Sequence, residues 1–258
     1  MIEAYKDILY ESSNGIATIT LNRPEKLNAF RGQTLIEIVQ ALTAAIRDKT
    51  VGVIVIAGAG GKAFSVGGDI GEMKALDRRT GRAFVGKLLR LGKLFLTSPK
   101  PTIAKVNGYC LGGGNEIQLF CDLTIASDKS LFGQTGPKVG SAPLWGGTQI
   151  LPLLVGLKRA HEMIYLCRQY AAREAKEMGL INQVVPEIGL NPAVERVCQE
   201  ILEKGPQAIQ LARLALHRGL LATLEQDLKR LGKIYGSEEL HEGMTAFLEK
   251  RPPRFRHL

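Results

Sequence analysis

Two glycine-rich segments, each set directly behind a short apolar run, constrain this chain more than any other feature. The first is Gly58-Ala59-Gly60-Gly61-Lys62-Ala63-Phe64-Ser65-Val66-Gly67-Gly68-Asp69, which continues from VGVIVIAG. The second is Gly112-Gly113-Gly114-Asn115-Glu116, which follows TIAKV and NGYCL. The run over 51–58 is too short for a confident helix and lacks polar alternation, so it reads as a strand buried on both faces. Glycines at the carboxyl end of such a strand let backbone N–H groups come close to a ligand.

The rest of the chain places these loops in an α/β fold. KDILYES and GIATITL flank Ser12-Ser13-Asn14-Gly15, a hairpin signal, and Pro24 ends the second strand. Leu35, Ile38, Val39, Leu42 and Ile46 have helical spacing, and a second helix is expected from about Arg82 to Leu96, ended by Pro99 and Pro101. TIAKV, LTIAS and SLFGQ read as short strands, NEIQLFCD as a short helix, and the glycine-rich segments, the second of them running through NGYCLGGG, as loops. Beyond about residue 150 the pattern is mostly helical, over 156–167, 171–178, 191–204, 206–218 and 223–249. The expected organisation is an α/β core over 1–195 and a helical region over 196–258.

Several classes of function lack support. The first glycine loop opens as G-x-G-x-x-A, yet no helix starts at it and no acidic residue closes a strand about 20 residues on, so a dinucleotide site is not expected. Ile56 and Ala63 break the phosphate-loop pattern, and Pro143 ends any nucleophile elbow at Ser141. His161, His217, His241 and His257 have no metal-ligand spacing, and the four cysteines form no C-x-x-C pair, so no metal is expected. MIEAYKDILY has no signal-peptide core and no run approaches a membrane span, which leads to a cytoplasmic expectation. The net charge of +9 suits an anionic partner without choosing among phosphates, nucleic acid and a membrane surface.

Chemistry is suggested by the loops themselves. One N–H from each could meet at a single oxygen, an arrangement that stabilises a carbonyl turning into an enolate. Glu116 lies three residues after Gly113, about one helical turn into such a site. Its carboxylate could activate water, or it could merely complement the positive end of its helix.

LNRPEKLNAF, KAFSVGGDI, GYCLGGGNE, FGQTGPKVG with GGTQ, AKEMGLINQVVP and AFLEKRPPRF occur in an order that resembles the crotonase (enoyl-CoA hydratase/isomerase) superfamily. The resemblance implies a spiral of ββα turns with a helical C-terminal trimerisation region, and homotrimers or homohexamers. It implies an acyl-CoA substrate, with coenzyme A part of the substrate and no separate cofactor. By motif position Val66 and Gly113 would supply the oxyanion N–H groups and Glu116 the catalytic carboxylate. Lys26, Leu27 and Ala29 would lie along coenzyme A, and Phe247 and Lys250 would approach it. Ser65, Gly67, Gly68, Asp69, Gly136 and Trp145 complete the expected binding residues.

The second glutamate of the two-glutamate hydratases is replaced by Gly136, which leaves one carboxylate for both proton transfers. FGQTGPKVGS and YLCRQY are similar to 1,4-dihydroxy-2-naphthoyl-CoA synthase and to a ring-cleaving hydrolase close to it, but the acidic position of the synthase falls on Pro143. GQ-x-GPK-x-GSAP with a glutamate after GGG is similar instead to a hydrolase of an alicyclic oxo-acyl-CoA. The expectation is water addition to an enoyl-CoA, with a ring-shaped acyl group favoured by the flat wall of Trp145. The alternatives are hydrolytic opening of a cyclic β-oxoacyl-CoA, isomerisation, and a non-catalytic RNA-binding role. The last has no aromatic RNA motif behind it. Tyr235, Lys138 and Arg168-Gln169-Tyr170 are weaker candidates.

Overall fold

A computed structural model describes residues 5–255; the first four residues of MIEAYKDILY and His257 lie outside the described residues. The strands are β1 (Ile8–Ser13), β2 (Ile16–Leu21), β3 (Val53–Gly58), β4 (Ala63–Ser65), β5 (Thr102–Val106), β6 (Tyr109–Leu111), β7 (Leu123–Ser127), β8 (Leu131–Gly133), β9 (Gln169–Ala171) and β10 (Gln183–Val185). The α-helices are α1 (Gly32–Arg47), α2 (Ile70–Lys74), α3 (Arg78–Thr97), α4 (Gly113–Phe120), α5 (Leu151–Val155), α6 (Leu157–Tyr165), α7 (Ala172–Glu177), α8 (Leu190–Leu202), α9 (Pro206–Leu216), α10 (Leu220–Ile234) and α11 (Glu238–Leu248).

Two sheets grow side by side. One has the order β1-β2-β3-β5-β7-β10 and the other β4-β6-β8-β9. The consecutive pairs β3–β4, β5–β6 and β7–β8 each give one strand to each sheet, and among these six strands the neighbours within a sheet run parallel. Parallel neighbours need a crossover between them, which α2 and α3 supply after β4, and α4 after β6. The result is the expected spiral of ββα turns. The opening hairpin is also present, with Ile8 opposite Leu21 and Ser13 opposite Ile16.

The side-chain period of two explains the apolar run at β3. Ile54 and Ile56 enter the main core, whereas Val53 and Val55 pack on the other face with Ile103, Ile125 and the α8 residues Leu190, Ala193, Val194 and Cys198. Helix α8 therefore covers the sheet face opposite α1 and α3. It runs unbroken through position 195/196, so the expected boundary falls inside one helix.

Four expectations need correction. Residues 63–65 and 109–111 are strands of the second sheet and not loop, because three-residue strands are fixed by their neighbours rather than by their own pattern. Helix α3 begins at Arg78, four residues early, where the Asp77 side chain accepts from the N–H groups of Arg79 and Thr80. The helix expected over 223–249 is two helices, α10 and α11, separated by extended Tyr235 and by Gly236 at φ +78°. Among the described residues, no helix is long and apolar enough to cross a membrane.

Candidate active site

The β4–α2 and β6–α4 loops meet at the carboxyl ends of their strands. A Cβ at Gly67 would lie 2.8 Å from the Gly113 nitrogen, and one at Gly114 would lie 2.2 Å from the Ser65 carbonyl oxygen. Glycine at these two positions lets the loops touch backbone to backbone. Behind them Asn28, itself at φ +56°, donates from its amide to the carbonyls of Ala59 and Ala63. The Ser65 hydroxyl donates to the Asn28 carbonyl and accepts the Gly67 N–H. This brace ties residues 23–30 to the first glycine loop.

A cavity of about 580 Å³ opens where the loops meet. Of the expected residues, Lys26, Leu27, Ala29, Val66, Gly68, Asp69, Gly113, Glu116, Gly136, Trp145 and Phe247 all line it. Ser65, Gly67 and Lys250 do not. The first two are consumed in the brace, and Lys250 stands at φ +55° with its N–H on the Phe247 carbonyl. The remaining wall is largely apolar, from Phe30, Phe84, Leu88, Leu111 and Met244.

Among the described residues Glu116 is the only buried carboxylate in this wall. It is 7% exposed, and its Oε1 accepts the backbone N–H groups of Trp145 at 2.9 Å and Gly147 at 3.3 Å. Burial pushes its pKa up to about 8, against the pull of those two bonds. Glu116 is therefore poised to exchange a proton near neutral pH. The Trp145 indole fills the wall between Phe30, edge-on at 6.0 Å, and Phe120 at 5.3 Å. The residue that forms the aromatic face thus also anchors the carboxylate through its backbone.

The two expected oxyanion donors differ. Gly113 is the first residue of α4, so its N–H has no carbonyl to meet within the helix. The Val66 N–H donates to the Leu27 carbonyl at 3.2 Å. A ligand oxygen reaching Val66 must share or replace that acceptor. At Gly136 a Cβ would stand 3.1 Å from the Ser141 carbonyl oxygen, a tight contact that a side chain there would have to relieve by a few tenths of an ångström.

The Asp69 carboxylate has three partners inside the protein. It accepts from the N–H groups of Gly71 and Glu72 at the start of α2, and pairs with Arg23 at 3.0 Å. Arg23 also donates to the Ala29 carbonyl. Asp69 therefore fixes the turn that carries Lys26, Leu27 and Ala29.

Sequence reasoning missed Phe30, Asn28 and Gln134 and gave Tyr235 little weight. Tyr235 is buried in the cavity wall at the break between α10 and α11. Burial raises its phenol pKa, and the nearby Glu116 and Glu72 raise it further, so it stays protonated. Lys138 and Gln169 also reach the wall, whereas Arg168 pairs with Glu162. Among the described residues no three His, Cys, Asp or Glu side chains converge as a metal site.

A spiral of ββα turns closed by two glycine loops around a buried glutamate defines a crotonase-type protein. The chain belongs to the enoyl-CoA hydratase/isomerase family, whose model matches residues 11–257. It is similar to an enoyl-CoA hydratase/isomerase from Xanthobacter autotrophicus Py2, at 35% identity and a TM-score of 0.88 over 98% of this chain and 96% of that one. It is also similar to an enoyl-CoA hydratase from Mycobacterium avium subsp. paratuberculosis K-10, at 29% identity and a TM-score of 0.88 over 98% and 99% of the two chains. An enoyl-CoA hydratase from Bacillus anthracis matches at 33% identity and a TM-score of 0.80 over 98% and 100%.

Proposed function

We propose that this protein is an acyl-CoA hydratase that adds water across the double bond of an enoyl-CoA, using one carboxylate. The observation that carries this reading is Glu116, buried in the cavity wall with a pKa of about 8 and one turn beyond the Gly113 N–H. Ionised Glu116 takes a proton from water as the water oxygen attacks the acyl β-carbon. The electron pair moves through the α-carbon onto the thioester oxygen. There the Gly113 N–H receives it, joined by Val66 when the ligand oxygen replaces the Leu27 carbonyl. Glu116 then returns its proton to the α-carbon, which completes the addition of one water.

The aromatic wall and the bare Gly136 support an alicyclic acyl group and favour a second reading. In it water adds to a ring ketone at the β-carbon and the bond between the α- and β-carbons breaks. The electron pair becomes the same thioester enolate, which takes a proton of the water at the α-carbon, and the β-carbon becomes a carboxylate at the far end of the opened chain. In both readings the polycationic chain, net +9, meets the phosphates of coenzyme A. We place the protein in the cytoplasm as a homotrimer or homohexamer, with residues 196–258 as its assembly region.

Incubation with linear and cyclic enoyl-CoAs and cyclic β-oxoacyl-CoAs, read by mass spectrometry, tests this. Gain of one water without a new carboxylate is expected. A new carboxylate would select ring opening, and no water gained on any substrate would sink both readings.

Asp69→Ala tests how the turn is held. Loss of the α2 cap should cost about 1 kcal/mol of stability. The freed turn should raise KM for acyl-CoA several-fold with kcat nearly unchanged. A fall in kcat at constant KM would instead put Asp69 in the chemistry.

A further inference from the structure

Gln134 lies just past β8, in the wall of the same cavity, and has no solvent-exposed surface. Neither its amide nitrogen nor its amide oxygen has a hydrogen-bond partner among the described residues. An amide sealed in this way destabilises the protein unless something else satisfies it. Among the described residues the one other buried, unpartnered side-chain group in this wall is the Trp145 indole N–H. That group lies toward α3, 2.9 Å from where a Cβ on Gly92 would stand, and is accounted for as part of the wall.

The position of Gln134 gives the amide a use. The Gly112 N–H donates to the Gly133 carbonyl at 2.9 Å. A Cβ on Gly112 would be 3.2 Å from the Thr135 hydroxyl. These contacts hold residues 133–135 against the start of α4, beside Gly113 and Glu116. Two residues further on stands Gly136, where a Cβ would press on the Ser141 carbonyl oxygen at 3.1 Å.

We infer that Gln134 is a ligand-binding residue that hydrogen-bonds an oxygen on the acyl β-carbon, in the cavity whose wall it shares with Glu116. The inference rests on the acyl-CoA reading above and deepens it. Both reactions considered there place an oxygen on that carbon, as the hydroxyl of a hydration product or the ketone of a cyclic substrate. A carboxamide suits either, since it donates to a ketone and both donates to and accepts from a hydroxyl. Glu116 is neutral over much of the physiological range and Gln134 is always neutral. The pair therefore selects an uncharged oxygen function over a second carboxylate.

Coenzyme A thioethers, which lack the thioester carbonyl and so cannot form the thioester enolate, separate binding from catalysis. Three are compared: a saturated acyl chain, its 3-hydroxy derivative and a cyclic 3-oxo derivative. Trp145, the only tryptophan in the chain, reports binding by fluorescence from the cavity wall. The wild-type protein should bind at least one oxygen-bearing thioether about tenfold or more tighter than the plain one. Preference for the hydroxyl supports hydration, and preference for the ketone supports ring opening. Gln134→Met, nearly isosteric, should bind the plain thioether as before and lose the preference. Without ligand it should melt a few degrees higher, because two unpaired polar atoms are gone.

A wild-type protein that binds all three thioethers equally would overturn the inference and leave the acyl-CoA reading standing. Retention of the preference by Gln134→Met, or a lower melting temperature, would also overturn it. Failure of wild-type protein to bind any of the three would overturn both.

Discussion

Replacing Glu116 by glutamine is expected to lower turnover by at least about a hundredfold while leaving the affinity for coenzyme A unchanged. The substitution keeps the volume of the side chain and an oxygen to accept the Trp145 and Gly147 N–H groups, so the wall stays in place. It removes only the capacity to take and return a proton. Tyr235, in the same wall, does not restore that capacity, because it is held protonated by burial and by nearby carboxylates. Turnover within a factor of a few of wild type would remove Glu116 from the chemistry and leave it as a buried wall residue.

The pH dependence follows from the raised pKa, with a definite sign. Hydration needs ionised Glu116, so kcat/KM should climb with pH and level off above about 8. Dehydration needs the protonated form and should decline above the same value. Stability moves too. The folded-state pKa lies above the unfolded value of about 4.3, so the contribution of this group is complete below that value and is lost as pH rises through about 8. Glu116→Gln stays neutral throughout. Its melting temperature relative to wild type should therefore increase across that interval. Parallel curves for the two proteins would mean that Glu116 is already ionised in the folded state.

The reason the glycine loops were legible and the cavity wall was not lies in where each signal is written. Val66, Gly113 and Glu116 are local features, a loop followed by the first turn of a helix, and local pattern is enough to find them. The continuous apolar run at β3 likewise announces a strand covered on both faces. Strands β4 and β6 announce nothing, because three residues carry no periodicity and exist only through pairing with neighbours dozens of residues away. The same holds for Ser65 and Gly67. They stand inside the recognised block and invite a binding role, yet their hydrogen bonds run to Asn28 and to each other. Gln134 shows the converse. It is an ordinary polar residue in sequence, and its significance is a lack of partners that only the packed fold can expose. Tyr235 was hidden by a helical pattern that reads straight through the break at Gly236, where φ is +78°.

Loss of the Arg213 guanidinium is expected to destabilise the protein by about 3–5 kcal/mol, the range for removing one partner of a buried ion pair. Arg213 projects from α9 and its side chain is only 4% exposed. Its Nε donates to Asp122 at 2.8 Å, and its two terminal nitrogens donate to the carbonyls of Ser98 and Phe95. Those carbonyls belong to the end of α3, where the last turn has no acceptor-satisfying N–H of its own. One guanidinium therefore caps α3 and neutralises Asp122, which also accepts from the Thr102 backbone N–H and hydroxyl at the start of β5. In Arg213→Met the apolar stem is kept, but Asp122 remains with no arginine and two carbonyls lose their donors. Denaturant titration should report the loss, and a change under about 1 kcal/mol would show that solvent or His217 takes over fully. His217 also supplies a signature that packing damage would not. Its pKa lies below the ordinary value because of burial first and Arg213 second, opposed by Asp122. Wild-type protein therefore loses stability as pH falls below about 6.5, where the unfolded imidazole takes up a proton. Without Arg213 the His217 pKa rises, and the imidazolium can pair with Asp122 across 3.4 Å. The stability gap between variant and wild type should accordingly narrow from pH 8 to pH 6. A gap independent of pH would mean that Arg213 acts on the carbonyls of α3 alone and that its charge is not felt at Asp122 or His217.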